Sequence, residues 1–460
     1  LFTEDEIVKY FAKPKETIQS DFQITVNSIQ FDLNLKIKNK DDNLVIEEEE
    51  EDNGNYMPKE EYKLVPLLGF VMDDIVLNGS KNKDVISILF ETTSFYIKNY
   101  KNEKYRNTME LPQGVKGAIN VNYSDFSQAI KLDIPSISGI FDVNQISSFI
   151  EYYTNTNIFN RTFERKSVKD KDVKNIIDTH PRVKLDILIG NSTLIIPYQE
   201  IENDTPILKI SLDSFEIHSN SLSKYNINII ESLYDVYQLS LNSIQLHLND
   251  KVFSNKINVK TNVSISIFPF IETDLLVIDS SISPLELHLT TFDSLLLYEI
   301  FFYLADELNI SDDSRKAMNN LLPEFKIVSH LQLISFYFSF RETTKYSNTE
   351  AFKFTLKNET QLSVYKKEKD FNVSILNKDG VESLEFFKSD HGKFINSTKF
   401  ELLIKMFEST TNVTINFGDF ELYAKAVPLN FIQVFAESPK FFEWKLHLKE
   451  DSTIDKYFHK

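Results

Sequence analysis

The chain has 460 residues, with 68 acidic side chains against 50 basic ones, a formal balance of 50 − 68 = −18. Phosphate backbones and anionic membrane surfaces need clustered Lys and Arg, so this excess argues against nucleic acid as a partner and against direct adhesion to a charged bilayer. The absence of Cys excludes disulfide scaffolds, thiolate metal sites and Cys nucleophiles, and a reducing compartment is the simplest fit.

In chain order, Phe22-Gln23-Ile24-Thr25-Val26 alternates apolar and polar residues, slips at Asn27-Ser28, and resumes with Ile29, Phe31, Leu33, Leu35 and Ile37. A one-residue slip reads as a bulge. The same two-residue period returns at 183–187, 239–241, 244–248, 263–267, 285–289, 336–340, 352–356 and 413–417, one face apolar and the other carrying Lys, Ser, Asn, Thr or Asp. The 38 Phe and 20 Tyr suit such pleated, half-buried surfaces. Residues 38–61, with six consecutive acids at 47–52, are expected to be a mobile loop, and 101–108 and 166–174 are charged loops. The acidic run reads first as a solvated loop and second as a docking patch for a basic partner.

Short helical stretches interrupt the strands. Residues 143–153 place Ile146, Phe149, Ile150 and Tyr153 on one helical face, 292–308 do so with Leu295, Leu296, Ile300 and Tyr303, and 429–437 offer Phe431, Ile432 and Phe435. Their starts lie about 150 and then about 135 residues apart, a period longer than that of the usual solenoids. The segment beginning Asp21-Phe22-Gln23-Ile24 also resembles the one beginning Glu324-Phe325-Lys326-Ile327, two periods away. The period predicts three successive units, 1–160, 161–310 and 311–460, each of several strands closed by a helical connector. No Pro- or Gly-rich linker separates them, which points to one continuous sheet.

The search for chemistry is brief. The eight His residues (His180, His218, His247, His288, His330, His391, His447 and His459) show no metal-ligand spacing. His247 and His288 each sit between two apolar strand residues and belong on the polar face. Only 10 Gly are present, and no Gly-X-Gly-X-X-Gly, Walker-type loop or Gly-X-Ser-X-Gly elbow occurs. No catalysis, metal or cofactor is expected. The chain begins Leu1-Phe2-Thr3, without Met or a signal sequence, and reads as an internal piece of a longer protein. No apolar run approaches the roughly 18 residues of a membrane-spanning helix. The apolar strand face then has two explanations: a β-sandwich core, which periodicity alone favours, or a long open groove holding lipid chains.

Residues 179–197, from Thr179-His180-Pro181-Arg182 through Leu185-Asp186-Ile187 to Ile195-Ile196-Pro197, resemble a stretch of the vacuolar protein sorting thirteen family in which a charged strand leads into an apolar run ending in Pro. In order, 233–246 (Leu233-Tyr234-Asp235-Val236-Tyr237), 279–289 followed by Thr291-Phe292-Asp293-Ser294-Leu295, and 129–152 are similar to further segments of that family, so the likeness covers about 128–308. The chorein motif of the family's extreme N-terminus and its C-terminal adaptor and membrane-docking modules are not seen. The resemblance implies a mostly β fold, an elongated, twisted antiparallel sheet forming an open hydrophobic groove, with connector helices crossing its mouth. It also implies bridge-like transfer of glycerophospholipids between organelle membranes, with a cytoplasmic protein peripheral at contact sites. The membranes would be reached through parts of the protein outside this chain, and adaptor proteins are possible partners.

No catalytic residues carry over, and the functional positions are strand residues of the groove. Those expected to line it are Leu185, Ile187, Ile189, Phe215, Ile217, Leu246, Leu248, Ile265, Ile267, Leu285, Leu287, Phe336, Phe338, Phe340, Phe352, Phe354, Val413 and Ile415. The competing expectation is a β-rich scaffold or interaction module with a closed core and no lipid cargo.

Overall fold

A computed structural model of the chain describes residues 20–38, 62–82, 84–100, 107–122, 127–143, 146–147, 182–197, 207–219, 234–249, 251–266, 276–307, 324–339, 350–367, 370–385, 392–407 and 410–423. They are almost entirely strand. Apolar and polar residues alternating along 6 to 21 positions leave the backbone one stable choice, a pleat with one dry and one wet face.

The described strands form fifteen crossings, most of them broken near the middle. The first group comprises β1 (Ser20–Lys38), β2 (Tyr62–Asn82), β3 (Val85–Thr92) with β4 (Ser94–Asn99), β5 (Asn107–Leu111) with β6 (Val115–Asn122), and β7 (Ser127–Ile134) with β8 (Ile137–Ile140). The second comprises β9 (Arg182–Ile189) with β10 (Ser192–Pro197), β11 (Ile207–Leu212) with β12 (Ser214–Ser219), β13 (Tyr234–Leu248), β14 (Lys251–Val252) with β15 (Ile257–Ser266), and β16 (Leu276–Ile282) with β17 (Leu285–Thr290). The third comprises β18 (Phe325–Leu331) with β19 (Ile334–Ser339), β20 (Glu350–Leu356) with β21 (Thr360–Lys367), β22 (Asp370–Asn377) with β23 (Val381–Glu385), β24 (Gly392–Ser397) with β25 (Phe400–Phe407), and β26 (Thr410–Phe417) with β27 (Phe420–Leu422). Fourteen spacings of about 4.8 Å give a sheet of about 67 Å across the strands.

Within each group neighbours are antiparallel, but at both joins they are parallel: β7 with β9 and β8 with β10, then β16 with β18 and β17 with β19. The sheet is therefore mixed rather than purely antiparallel. Alternation fixes the face of a residue and is silent on strand direction. A parallel neighbour requires a crossover of a dozen or more residues, and the chain between β8 and β9 and between β17 and β18 supplies it. The second crossover contains the helix α1 (Thr291–Glu307).

The breaks align into a crease that divides the crossings into two rows. The first row runs through β3, β6, β7, β9, β12, β15, β16, β18, β21, β22, β25 and β26 with the facing halves of β1, β2 and β13, and the second row holds the remainder. Backbone hydrogen bonds stitch the crease from one crossing to the next: Thr93 N to Asp73 O (3.2 Å), Asp213 N to Asn242 O (3.0 Å), Leu285 N to Leu333 O (2.8 Å), Lys357 N to Gly380 O (3.0 Å) and Thr398 N to Asp419 O (3.1 Å). Asp74, Gly114, Ser243, Asn358 and Gly380 all lie on it with positive φ, between 47° and 79°. At Gly114 and Gly380 a Cβ would fall 1.8 Å and 1.7 Å from a carbonyl oxygen across the crease, so no other residue fits there. Beyond β14 the second row becomes a separate six-stranded sheet, joined to the earlier part by the Ser254–Leu287 bridge.

α1 is capped by Thr290 and Asp293, each accepting the other's backbone N–H through its side chain (3.1 and 3.0 Å). The Lys251 ammonium closes on Asp293 at 2.6 Å. The helix packs Leu296 (2% exposed) and Ile300 (1%) onto Leu248, Phe253 and Leu289 of the second row, with Ile196, Leu208 and Phe338 around them. The side chains of Leu295 and Tyr303 lie outside the described residues, as do most of 143–153 and all of 429–437 and of the acidic loop after Lys38.

Candidate functional site

Strand register turns the alternation into ladders across the first row that are apolar along most of their length. One runs from edge to edge: Ile24, Leu77, Phe90, Gly117, Leu132, Ile187, Ile217, Leu239, Thr261, Ser280, Ser329, Leu362, Ile375, Leu402 and Ile415. Beside it, towards the crease, Ile134, Ile189, Phe215, Leu241, Val259, Ile282 and Leu331 form an unbroken apolar run over both joins. On the other side Tyr237, Val263, Ile278, Ile327, Val364, Val373, Ile404 and Val413 form a third.

These residues stand apart from the core beneath α1. Ile187, Ile217, Leu239, Leu362, Ile375 and Leu402 are only half-buried, and at the far edge Ile415 is 55% exposed. The opposite face carries Lys184, His218, Gln238, Lys260, Asp279 and Lys326. Among the described residues, then, the first row presents a broad apolar surface backed by a wet one.

One ladder changes character where the second group meets the third. Thr261, Ser280 and Ser329 replace hydrocarbon with three adjacent hydroxyls, and Thr261 Oγ1 lies 3.0 Å from Ser280 Oγ, so the first two satisfy each other. Near the rim Lys366 stands between its strand partners Phe325 and Phe371, 8% exposed. Burial, outweighing the raising influence of Glu324, lowers its ammonium below the usual Lys range.

The expected lining residues divide by row. Leu185, Ile187, Ile189, Phe215, Ile217, Ile265, Val413 and Ile415 lie on the apolar face of the first row, Ile265 at 45% and Val413 at 58% exposure. Leu246, Leu248, Leu285, Leu287, Phe336, Phe338 and Phe354 lie in the second row. There Phe336 stands beside Leu287 and Phe354, with ring centroids 6.3 Å from the latter. Leu248, at 3%, is sealed beneath α1 rather than open. Phe352 is a strand partner of Phe338, and its side chain is outside the described residues, as are Ile267 and Phe340 altogether.

Sequence spacing also missed contacts that only strand pairing creates. His218 lies 3.2 Å from Asp186 and 3.6 Å from Glu216, and His330 sits between Asp279 and Glu359, all on the polar face. His288 stacks on Tyr337 with centroids 4.5 Å apart, and His247 meets Ser211 at 2.8 Å. Among the described residues no cluster of three or more His, Asp or Glu could hold a metal ion, and no helix is long and apolar enough to cross a membrane. No family profile matches the chain, and no match emerges from comparison with curated proteins.

Proposed function

We propose that this chain is a segment of a lipid conduit, its first-row apolar face a groove along which glycerophospholipid tails slide between organelle membranes. The reading rests on one observation: ladders up to fifteen strands wide whose apolar residues remain half-buried. A scaffold with a closed sandwich core would bury those residues against a second layer. The described parts of the motifs that resemble the vacuolar protein sorting thirteen family, at 179–197 and 233–246, fall on β9 and the first half of β13, which contribute to this face, and on β10 and the rest of β13 in the second row.

The energetics suit transport. Moving an acyl chain of about sixteen methylenes through water costs on the order of 13 kcal/mol at about 0.8 kcal/mol each. A floor that is apolar over most of its width lowers that barrier without creating a deep well at any one point. Headgroups stay at the open mouth in water, and the chain's formal charge of −18 disfavours adhesion to anionic bilayers. The protein would then act from the cytoplasm at membrane contact sites, docked by segments or adaptors beyond this chain.

Phospholipid transfer between tethered donor and acceptor vesicles tests the reading. Replacing Leu185, Ile187, Ile217 and Leu239 together with Asp is expected to cut the transfer rate roughly tenfold or more, since each charge faces hydrocarbon. A milder set with Ser at Ile187 and Ile217 guards against misfolding. Unchanged transfer by folded variants would sink the conduit.

A further inference from the structure

Along the rim of the first row, strand pairing lines up Ile265, Leu276, Phe325, Lys366, Phe371 and Met406. This ladder is apolar except for one ammonium. Among the described residues of the second and third groups, Lys366 is the only cation on the apolar face of the first row, where the other polar groups are hydroxyls, the Asn377 amide and the Asp235 carboxylate. Lysines of a sheet normally stand on its wet face, as the exposed Lys326 does beside Phe325.

The surroundings of Lys366 are built by neighbouring strands. β18 and β22 flank β21, their backbones about 9.6 Å apart at two strand spacings, yet the Phe325 and Phe371 rings meet edge to face with centroids 6.3 Å apart. The rings therefore lean together over the strand between them and shield Lys366, which is 8% exposed. An ammonium held out of water is destabilised unless an anion compensates it. Glu324 supplies part of that compensation, but burial outweighs it. A further anion at this point is therefore favoured. The Val364 and Leu362 positions follow on the same strand face, about 7 and about 13 Å towards the crease at about 3.3 Å per residue. A phospholipid with its tails on those ladders brings its phosphate to the rim beside Lys366.

We infer that Lys366, between Phe325 and Phe371, is a headgroup subsite of the groove at which the ammonium meets the phosphate of a net-anionic glycerophospholipid. A zwitterionic lipid carries its own ammonium a few bonds from the phosphate, and that charge opposes Lys366. The subsite therefore favours phosphatidylglycerol over phosphatidylcholine. The inference rests on the conduit reading and adds a charge preference to it.

The test incubates the full chain with vesicles of equimolar phosphatidylglycerol and phosphatidylcholine with identical acyl chains, then measures the lipids carried by the re-isolated protein by mass spectrometry. Phosphatidylglycerol should exceed phosphatidylcholine roughly threefold, and Lys366→Met should bring the ratio to about one. Glu324→Gln should raise the ratio, a change that loss of fold cannot mimic. Lys326→Met, which alters net charge equally but on the wet face, should leave it as in the unmodified protein. An unchanged ratio in Lys366→Met, with lipid still carried, would overturn the subsite and leave the conduit standing, whereas no phospholipid on the unmodified protein would overturn both. A ratio lost equally in Lys326→Met would trace the preference to net charge and also overturn the subsite. Millimolar glycerol phosphate, which has no tails, should not alter the ratio. If it abolished the preference, Lys366 would be a site for free phosphate instead of lipid.

Discussion

Leu239 and Leu248 lie nine residues apart on β13, in alternating stretches on either side of the register shift between Leu241 and Ile244, and they meet different surroundings. Leu239 stands half-buried on the first-row face, whereas Leu248 is 3% exposed beneath α1. The strand decides which side a leucine faces, and what packs above it decides whether the position becomes core or open surface. In the second row α1 supplies the lid, through Leu296 and Ile300. Over the first row no described element does so. One repeated pattern therefore gives a sealed anchor in one row and, in the other, a long apolar face over which no described element packs.

Substitutions sharpen this contrast, the largest effect falling beneath the helix. Ile300→Ala and Leu296→Ala should each cost roughly 2–5 kcal/mol in denaturant unfolding, against about 1 kcal/mol for Ile217→Ala on the open face. Equal losses would erase the distinction between the rows. At the crease, Asn377 is fully buried: its Nδ2 donates to Lys357 O and Thr360 Oγ1, and its Oδ1 accepts from the Asp379 and Gly380 amides. Asn377→Leu strands those groups and should cost roughly 2–4 kcal/mol, measured the same way.

A smaller effect concerns the cap of α1. Burial alone would raise the Asp293 carboxyl, but the Lys251 ammonium and the Thr290 amide and hydroxyl together hold it below its usual 3.8. A depressed folded-state value means that the stability it contributes is fully present above about pH 4 and is lost as pH falls through the folded value. An acid titration of α1 helicity should show that loss, and Asp293→Asn should flatten it. The smallest effect is expected at the far edge, where Thr414→Ser, on the polar face, should change stability by less than about 0.5 kcal/mol.

Much of this was legible in residue order. The slip at Asn27-Ser28 marks the crease in β1, where the strand register skips Asn27, and the segments beginning at Asp21 and Glu324 prove to open the first and third groups. The predicted helix at 292–308 is α1 within one residue. The parallel joins were not legible, because a period of two is the same in both directions. Nor was the cover over Leu248: it depends on α1 returning across the second row, a contact between residues some fifty positions apart. The crease as a whole was hidden for a different reason. Its marks are single residues, Asp74, Gly114, Ser243, Asn358 and Gly380, scattered through the chain and aligned only by strand pairing.

The most direct test of the central claim is site-resolved labelling with a photoactivatable phospholipid, mapped by peptide mass spectrometry. The account predicts adducts on first-row peptides containing Ile187, Ile217, Leu239, Leu362 and Leu402, with the residues packed beneath α1 unlabelled. Labelling confined to the neighbourhood of α1, or no adducts on the first row, would contradict it.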